Sequence, residues 1–374
     1  MASLFEPLKL GNITIPNRII MSPLTRSRAI PDLVPNDTML KYYLQRVHGG
    51  AGLIITEGTL VTRQGTEWPY APGIWNEDQV KGWKKITDAI HGSGGFVYCQ
   101  LWHVGRLSHP EAPEQIAAGQ PVYAPSAISA HGGDGKFRQV PGRPGYVTPT
   151  EIPDPRTLVA VFKQAAVNAK AAGFDGVELH GAYGYLVMQF LDSGSNLRTD
   201  SWGGSIENRS RFGLEVLKAL IEVFGSNVGI KLGPCGGGND VGMPLQETLD
   251  TYKYFIREAD KLQLSYIVLM RYSPSLDAEY DGKKRATVHD VLAAYRPLIK
   301  NAKVIVNAGV TPEEGAELVK SGKADAFSMG LNWITHPDVA NRIQRGQQLD
   351  NVLDVKHLYG NPHVDLNIGY TTYV

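Results

Sequence analysis

The regular alternation of two kinds of segment along the chain is the feature that most constrains its fold. Short apolar runs rich in Val, Ile and Leu alternate with longer stretches in which apolar residues recur at helical spacing. The short runs predict strands at residues 18–21, 53–56, 96–101, 177–179, 228–232, 266–270, 304–307 and 326–329. The longer stretches predict helices at residues 35–47, 78–90, 153–172, 205–224, 245–262, 288–299 and 337–345, with Thr311 capping one more. Alternation of this kind indicates a parallel sheet, and eight units predict an α/β fold of the closed (β/α)8 TIM-barrel type.

Residues 103–150 interrupt this alternation after the third strand. They are rich in Pro, Gly, Ala and Ser, and we predict a long insertion that forms a lid or a small hairpin. No linker divides the rest, so residues 1–374 are predicted to be a single domain with a C-terminal tail at 346–374. A doubly wound open sheet is the alternative. The glycines after the first predicted strand do not form a dinucleotide-binding fingerprint, which counts against that alternative.

Composition excludes several classes of function. Lys and Arg balance Asp and Glu at 37 each, so no net charge favours nucleic acid or an anionic membrane as a partner. Two cysteines are too few for a disulfide framework, and the scattered histidines form no metal motif, so no metal site is predicted. The chain shows no apolar run of membrane-spanning length, no leader pattern and no retention signal. We therefore expect a cytoplasmic protein that acts on a small molecule, as a monomer or a homodimer.

The strongest chemical signal lies at the end of the fourth predicted strand. His180 leaves that strand at a glycine-rich turn, and Tyr183 and Tyr185 follow at once. An imidazole and two phenols at the carboxyl end of a barrel strand suit a site that polarises a carbonyl and moves a proton. If the turn opens a helix, His180 and Tyr183 share one face and Tyr185 is rotated away. A core histidine with two packing tyrosines remains the structural alternative.

Other strand ends carry groups suited to a planar ligand with a phosphate. Thr25 and Gln100 are neutral hydrogen-bonding residues suited to a polar heteroaromatic ring, and Trp102 offers a rigid wall. Gly309 and Gly330 follow the last two strands, where barrels commonly bind phosphate through backbone N–H groups. Each glycine alone is equally consistent with an ordinary turn. His103 and Arg106 could bind a ligand or be solvated loop residues.

Four segments carry a likeness to a known family. They are LFEPLKLGN at 4–12, YCQLWH at 98–103, GFDGVELHGA at 173–182 and NLRTDSWGGSIENR at 196–209. Together they resemble the Old Yellow Enzyme family, in the same order and over nearly the whole chain. The resemblance implies a TIM barrel with FMN across its carboxyl end. It also implies reduction, by NADPH, of the C=C bond of α,β-unsaturated carbonyl compounds.

Roles for individual residues follow from this resemblance. It implies that FMN contacts Pro23, Leu24, Thr25, Gly58, Gln100, His180, Lys231, Ala308, Gly309 and Gly330. Trp102 would shape the substrate pocket, His180 would bind the substrate carbonyl, and Tyr185 would protonate the α-carbon. Tyr183 is expected beside His180 as a further donor to the substrate. Tyr272, in the irregular segment after the sixth strand, is expected to shape the same pocket.

Several positions depart from the family pattern. Tyr183 stands where Asn or His is usual, and Lys231 where Arg is usual. Leu331 replaces an Arg that grips the phosphate, Val310 replaces a second glycine and crowds the same loop, and His336 replaces Asn. These changes leave a second hypothesis open. In it, the barrel has weakened or lost FMN and uses His180 and the tyrosines for non-redox isomerisation or cyclisation of a small unsaturated metabolite.

Overall fold

Eight parallel strands form a closed barrel in the computed structural model, which describes residues 1–66, 68–132 and 145–374. In chain order the strands are β1 (Ile19–Met21), β2 (Leu53–Ile55), β3 (Val97–Trp102), β4 (Gly176–Gly181), β5 (Val228–Leu232), β6 (Tyr266–Met270), β7 (Lys303–Asn307) and β8 (Ala326–Met329). Each strand pairs with its sequence neighbours, β8 pairs with β1, and β2 pairs with β3 to complete the ring. The predicted TIM barrel is therefore confirmed.

Among the helices of the described residues, eight alternate with the barrel strands and pack around them. They are α1 (Asp37–His48), α2 (Glu77–Gly92), α3 (Pro155–Ala171), α4 (Ile206–Phe224), α5 (Leu245–Lys261), α6 (Val291–Tyr295), α7 (Pro312–Lys320) and α8 (Val339–Arg345). The Thr311 hydroxyl caps α7 as predicted, by accepting the Glu314 backbone N–H. The prediction for 288–299 is wrong in length, because α6 stops at Tyr295 and a 3-10 turn, Arg296–Leu298, follows. Pro297 explains the break, since it has no N–H and its ring clashes with a helical carbonyl one turn back.

An N-terminal hairpin closes one end of the barrel. Its strands, Leu8–Leu10 and Ile13–Ile15, pair antiparallel. Leu8, Leu10 and Ile15 are buried in one cluster with Tyr98 and Tyr266, which lie at the starts of their barrel strands. Burial of these apolar side chains favours the closed arrangement. The amino ends of the strands are thus sealed, and the opposite end forms the mouth.

The insertion after β3 contains a short helix, Pro113–Ala118, and one parallel pair of two-residue strands, Tyr123–Ala124 with Thr150–Glu151. Within its described part this pair is not a hairpin, and residues 133–144 of the expected lid or hairpin lie outside the described residues. Further short elements are the helices Leu186–Leu191 and Leu331–Thr335 and the hairpin Glu279–Tyr280 with Lys283–Lys284. Among the described residues, none of the helices combines the length and the apolar character needed to cross a lipid bilayer.

The C-terminal tail is fastened to the first βα loop by two buried arginines. Arg26 donates to the carbonyl oxygens of Leu358 and Gly369, at 2.8 and 2.7 Å. Arg28 makes a similar set of bonds to tail carbonyls. Tyr370 stacks on a tyrosine of α1 with the ring centroids 4.0 Å apart. The tail therefore passes beside the mouth of the barrel.

Candidate active site

His180 lies at the mouth of the barrel with two aromatic neighbours. Alternate residues of a strand face the same side, so Glu178 and His180 on β4 both point into the barrel. The Trp102 indole, at the end of β3, lies nearly parallel to the His180 ring at a centroid distance of 6.1 Å. The Tyr185 ring stands edge-on to both, 5.0 Å from His180 and 4.9 Å from Trp102. The structure thus brings these three predicted residues together.

The turn after His180 does not open a helix, so the condition for that prediction is not met. His180 belongs to β4, and the next helix begins only at Leu186, after Tyr185. Tyr183 and Gly184 both have left-handed backbone conformations, with φ of 55° and 72°, so the chain turns before the helix starts. As a result Tyr185 comes closer to His180 than Tyr183 does, since the Tyr183 ring lies 6.0 Å away.

The environment of His180 fixes both its charge and its tautomer. Burial, reinforced by the nearby Lys231 ammonium, holds the pKa of His180 well below its ordinary value, so the imidazole is neutral. The Ala182 backbone N–H donates to Nδ1 at 3.3 Å. A neutral ring that accepts at Nδ1 carries its proton on Nε2. His180 is therefore set to donate one hydrogen bond from Nε2.

Tyr183 covers a buried cation. Its ring centroid lies 5.3 Å from the Lys231 Nζ, within the range of a cation–π contact. Burial raises the pKa of Tyr183 to about 12, so its phenol is protonated and able to donate. Tyr183 can therefore donate a hydrogen bond to a ligand. Its ring, much larger than the usual Asn or His, narrows the space above the lysine.

Lys231, Glu178 and Gln100 form a buried polar set beneath the mouth. Burial lowers the pKa of Lys231 to about 8, an effect that Glu178 partly offsets. Burial raises the pKa of Glu178 to about 7, opposed by Lys231 and by Gln100. Gln100 donates from Nε2 to Glu178 Oε1 at 2.7 Å, and Lys231 donates to the Ser22 hydroxyl at 3.3 Å. The amide oxygen of Gln100 remains as an acceptor for a ligand.

Glu178 is absent from the residues predicted from the sequence, although a signal for it was present. It precedes His180 by two positions on the same strand, so period-2 alternation alone places both side chains on the inner face. Trp68 and Tyr359 are also absent from those predictions. Trp68 lies 6.5 Å from Trp102 and 4.9 Å from Tyr359, between ring centroids, and extends the aromatic wall to the tail. Nothing local in the sequence connects Tyr359 to Trp102.

Two glycines and their neighbours shape the rim of the barrel mouth. Pro23, Leu24 and Thr25, at the end of β1, are all partly exposed there. A Cβ on Gly58 would lie 2.5 Å from the Trp102 ring, so this glycine lets the indole pack against the backbone. A Cβ on Gly330 would lie 3.1 Å from Leu24. The close approach of backbone and side chains explains glycine at both sites.

The loop after β7 has the features of an anion site. Ala308 and Gly309 both adopt left-handed conformations, with φ of 74° and 66°. Among the hydrogen bonds of the described residues, none is donated by the backbone N–H of Gly309, Val310 or Thr311. Such successive N–H groups at a helix N-terminus bind anions. Val310 is 7% exposed and packs in the main core, so its side chain leaves the loop free, contrary to the predicted crowding.

Leu331 does not fill the mouth of the barrel. Its side chain is 55% exposed, in a position where the family pattern has a phosphate-binding arginine. No positive charge therefore comes from this residue.

Two further residues have structural roles. His103 is buried, with a pKa lowered to about 3 by burial, and it bonds Gln64 Oε1 at 2.9 Å. Arg106 is buried and donates to the Asp240 carbonyl at 2.7 Å, which fastens the insertion to the loop after β5. Both are buried, so they are not the solvated loop residues that the sequence left possible.

Tyr272 donates to Asp277 at 3.1 Å and lines a cavity of about 20 Å³ together with Tyr183. It therefore lies beside the mouth.

The residues at the mouth fit a planar cofactor with a phosphate. Lys231 is a buried cation, Gln100 keeps a free acceptor, and the N–H groups of Gly309 and its two successors are unpaired within the described chain. A family model described as NADH:flavin oxidoreductase / NADH oxidase matches residues 3–350. The chain belongs to this family. This match confirms the resemblance to the Old Yellow Enzyme family, which is a family of FMN-dependent oxidoreductases.

Curated relatives cover almost the whole chain. A 12-oxophytodienoate reductase 7 of Oryza sativa subsp. japonica is 35% identical over 386 residues, covering 100% of this chain and 94% of the relative. A probable flavin mononucleotide-dependent alkene reductase of Leishmania infantum is 36% identical, covering 93% and 92%. A probable inactive reductase, easA, of Epichloe festucae var. lolii is 33% identical, covering 93% and 90%. The relatives thus include two proteins named as reductases and one named as a probable inactive reductase.

Solved structures agree with the fold throughout. An Old Yellow Enzyme homologue from Zymomonas mobilis matches with a TM-score of 0.87 at 32% identity, covering 100% of this chain and 99% of the homologue. Morphinone reductase in complex with tetrahydroNAD matches with a TM-score of 0.85 at 36% identity, covering 100% and 97%. Members of this family with the same barrel therefore include one that binds a nicotinamide analogue.

Proposed function

We propose that this family member is an FMN-dependent ene-reductase that uses NADPH to reduce the C=C bond of α,β-unsaturated carbonyl compounds. The observation that carries the proposal is the neutral His180, with its Nε2 proton free to donate and the Tyr185 ring 5.0 Å away. A hydrogen-bond donor and a phenol this close together suit the two ends of an enone.

His180 would bind the substrate carbonyl oxygen. Negative charge grows on that oxygen as a hydride reaches the β-carbon, and a fixed donor stabilises it. The ring is neutral and buried, so this donor is held out of bulk water. Trp102, nearly parallel to the imidazole, limits the positions that the carbonyl can take.

Tyr185 would give the α-carbon its proton. Its ring touches both His180 and Trp102 edge-on, which holds the phenol at the side of the pocket. A positioned phenol is a suitable general acid for a carbanion or enolate. Tyr183 supplies a second protonated phenol near the carbonyl position.

FMN, when bound, supplies the hydride from its N5 and takes up hydride from the nicotinamide. Gln100 and Thr25 would bond its polar edges, and Lys231 would place a positive charge beside the ring. The loop after β7 would hold the phosphate through backbone N–H groups. The preference for NADPH follows the family resemblance, and the tetrahydroNAD complex of morphinone reductase supports a nicotinamide donor in general.

Reconstitution and product analysis test this proposal. Purified protein is incubated with FMN, freed of excess flavin, and given NADPH with 2-cyclohexenone. We expect a bound flavin spectrum and formation of cyclohexanone in step with NADPH oxidation. NADH in a parallel reaction measures the coenzyme preference. A protein that retains no flavin, or that leaves the enone unreduced, would overturn the proposal.

A second candidate function is non-redox acid/base catalysis on a small unsaturated metabolite. Tyr183 favours it, because its ring covers Lys231, the cation that a bound flavin would use. The likeness to a probable inactive reductase points the same way. Flavin-free protein in D2O, incubated with a β,γ-enone and no NADPH, tests it. Conversion to a deuterated α,β-enone would support this function, and no exchange would exclude it for that substrate.

A further inference from the structure

Arg271 joins two segments at the anion loop. This residue follows β6, and its Nε donates to the Ala308 carbonyl at 3.2 Å. Its Nη2 donates to Glu314 Oε2 at 3.0 Å, while Nη1 donates to the other carboxylate oxygen. One guanidinium therefore ties the left-handed end of β7 to the first turn of α7. A planar fork of donors suits a bidentate contact of this kind.

This contact changes how α7 is capped. Glu314 is the third helical residue after the cap Thr311, the position whose carboxylate accepts the N-cap backbone N–H in a capping box. Here the Thr311 hydroxyl accepts the Glu314 N–H at 3.2 Å, but the Glu314 carboxylate goes to Arg271. Within the described chain, the Thr311 N–H remains unpaired, with those of Gly309 and Val310. Arg271 thus keeps the Thr311 N–H available beside the other two donors.

The charges at the N-terminus of α7 also favour keeping Glu314 away from the anion loop. A carboxylate at a helix N-terminus occupies the favourable site for an anion, and it repels a phosphate there. Leu331 offers no cation in compensation. Arg271 and Glu314 are 28% and 39% exposed, so this pair contributes little to overall stability. What the pair determines is the position of the Glu314 carboxylate and of the Ala308 carbonyl.

We propose that Arg271 is a positioning residue for the cofactor phosphate. It fixes the Ala308 carbonyl so that the following N–H groups face the ligand, and it withdraws Glu314 from the site that the phosphate needs. The inference rests on the proposed function, since it takes the bound group to be FMN. It predicts that Arg271 matters for FMN and not for riboflavin, which has the same ring without the phosphate.

Flavin binding measures this directly, without any activity assay. Flavin-loaded protein is diluted, and the fluorescence of released flavin gives Kd for FMN and, in a second preparation, for riboflavin. We expect Arg271→Ala to raise the FMN Kd at least about tenfold, as for loss of a charge-assisted contact, and to leave the riboflavin Kd unchanged. The double variant Arg271→Ala/Glu314→Ala should recover most of the lost affinity. Arg296→Ala removes an equal charge from a nearby arginine that bonds Ile299 and is the matched control.

Each outcome decides between the alternatives. The inference is overturned if Arg271→Ala leaves the FMN Kd unchanged, or raises both Kd values equally, or if the double variant shows no recovery. If Arg271→Ala does not fold, Arg271→Lys keeps the charge without the fork, and the same FMN-specific loss is expected. A wild-type protein that binds FMN and riboflavin equally would overturn the inference alone. A wild-type protein that binds neither would overturn the proposed function as well.

Discussion

The two sides of the barrel mouth differ in how completely they are built. On the β3–β4 side, Trp102, His180 and Tyr185 lie in mutual contact, and a backbone N–H sets the tautomer of the imidazole. On the β7–β8 side, the backbone is exposed at Gly309 and Leu331 faces solvent, and the N–H groups of residues 309–311 find no partner in the described part of the chain. The first side is preorganised without a ligand. On the second side, the backbone N–H groups need a bound anion as their hydrogen-bond acceptor.

This difference separates two properties of the enzyme. Preorganised donors lower the barrier of the chemical step, since they need no rearrangement as charge develops. The exposed anion loop, with Leu331 in place of the usual arginine, determines the affinity for the cofactor. We therefore expect substitutions on the β3–β4 side to change turnover, and those on the β7–β8 side to change flavin affinity.

The largest effect should come from His180→Ala. Removal of this donor should lower kcat/KM for an enone roughly a hundredfold, the usual loss for one oxyanion-stabilising donor. The FMN content should change little, since the phosphate loop is untouched. Steady-state kinetics with a flavin:protein ratio measures both. Full turnover in this variant would show that the carbonyl binds elsewhere.

Tyr185→Phe should have a smaller and more selective effect. The phenol is needed only for protonation of the α-carbon, so enone turnover should slow at least about tenfold while flavin reduction by NADPH is spared. Stopped-flow absorbance separates the two half-reactions. Equal slowing of both would indicate a packing role for the ring against Trp102.

On the other side of the mouth, Leu331→Arg should strengthen cofactor binding. A guanidinium at this exposed position adds a charge-assisted contact to phosphate and should lower the FMN Kd about tenfold. Leu331→Gln, of similar length without the charge, is the matched control. If the FMN Kd does not change, the backbone N–H groups already satisfy the phosphate.

The smallest effect concerns pH. The pKa of Lys231 is lowered to about 8, so the ammonium that favours an anionic flavin is present below that pH and is lost as the pH rises through it. Glu178, with a pKa raised to about 7, is already ionised there and supports the lysine charge. We expect FMN affinity to fall severalfold, about half a pKa unit in free energy, between pH 7 and 9. Lys231→Arg should remain constant over this range, and a parallel fall in that variant would assign the effect to another group.

The fold was predictable because it depends on periodicity that every unit repeats. The length of α6 was not, since a single Pro297 ended it early. The conformation of the turn after His180 was not predictable either. A left-handed conformation at Tyr183 is rare for a residue with a side chain, and no local pattern announces it.

For the site, predictability followed the distance between contacts along the chain. Strand ends placed His180, Trp102 and Lys231 at one mouth, because parallel strands share an edge. The Arg271–Glu314 contact spans 43 positions, and Tyr359 reaches the aromatic wall from the tail, so both required the three-dimensional structure. The sequence did not show whether the Leu331 side chain fills the mouth or faces solvent, and the structure shows that it is exposed.

Isotope transfer tests the central claim most directly. The FMN-loaded protein is given NADPH carrying deuterium at C4 and an enone in ordinary water, and the saturated product is analysed by mass spectrometry and NMR. The account predicts one deuterium at the β-carbon and an unlabelled solvent proton at the α-carbon. An isomerised enone formed without NADPH consumption would contradict it and leave the non-redox function in its place.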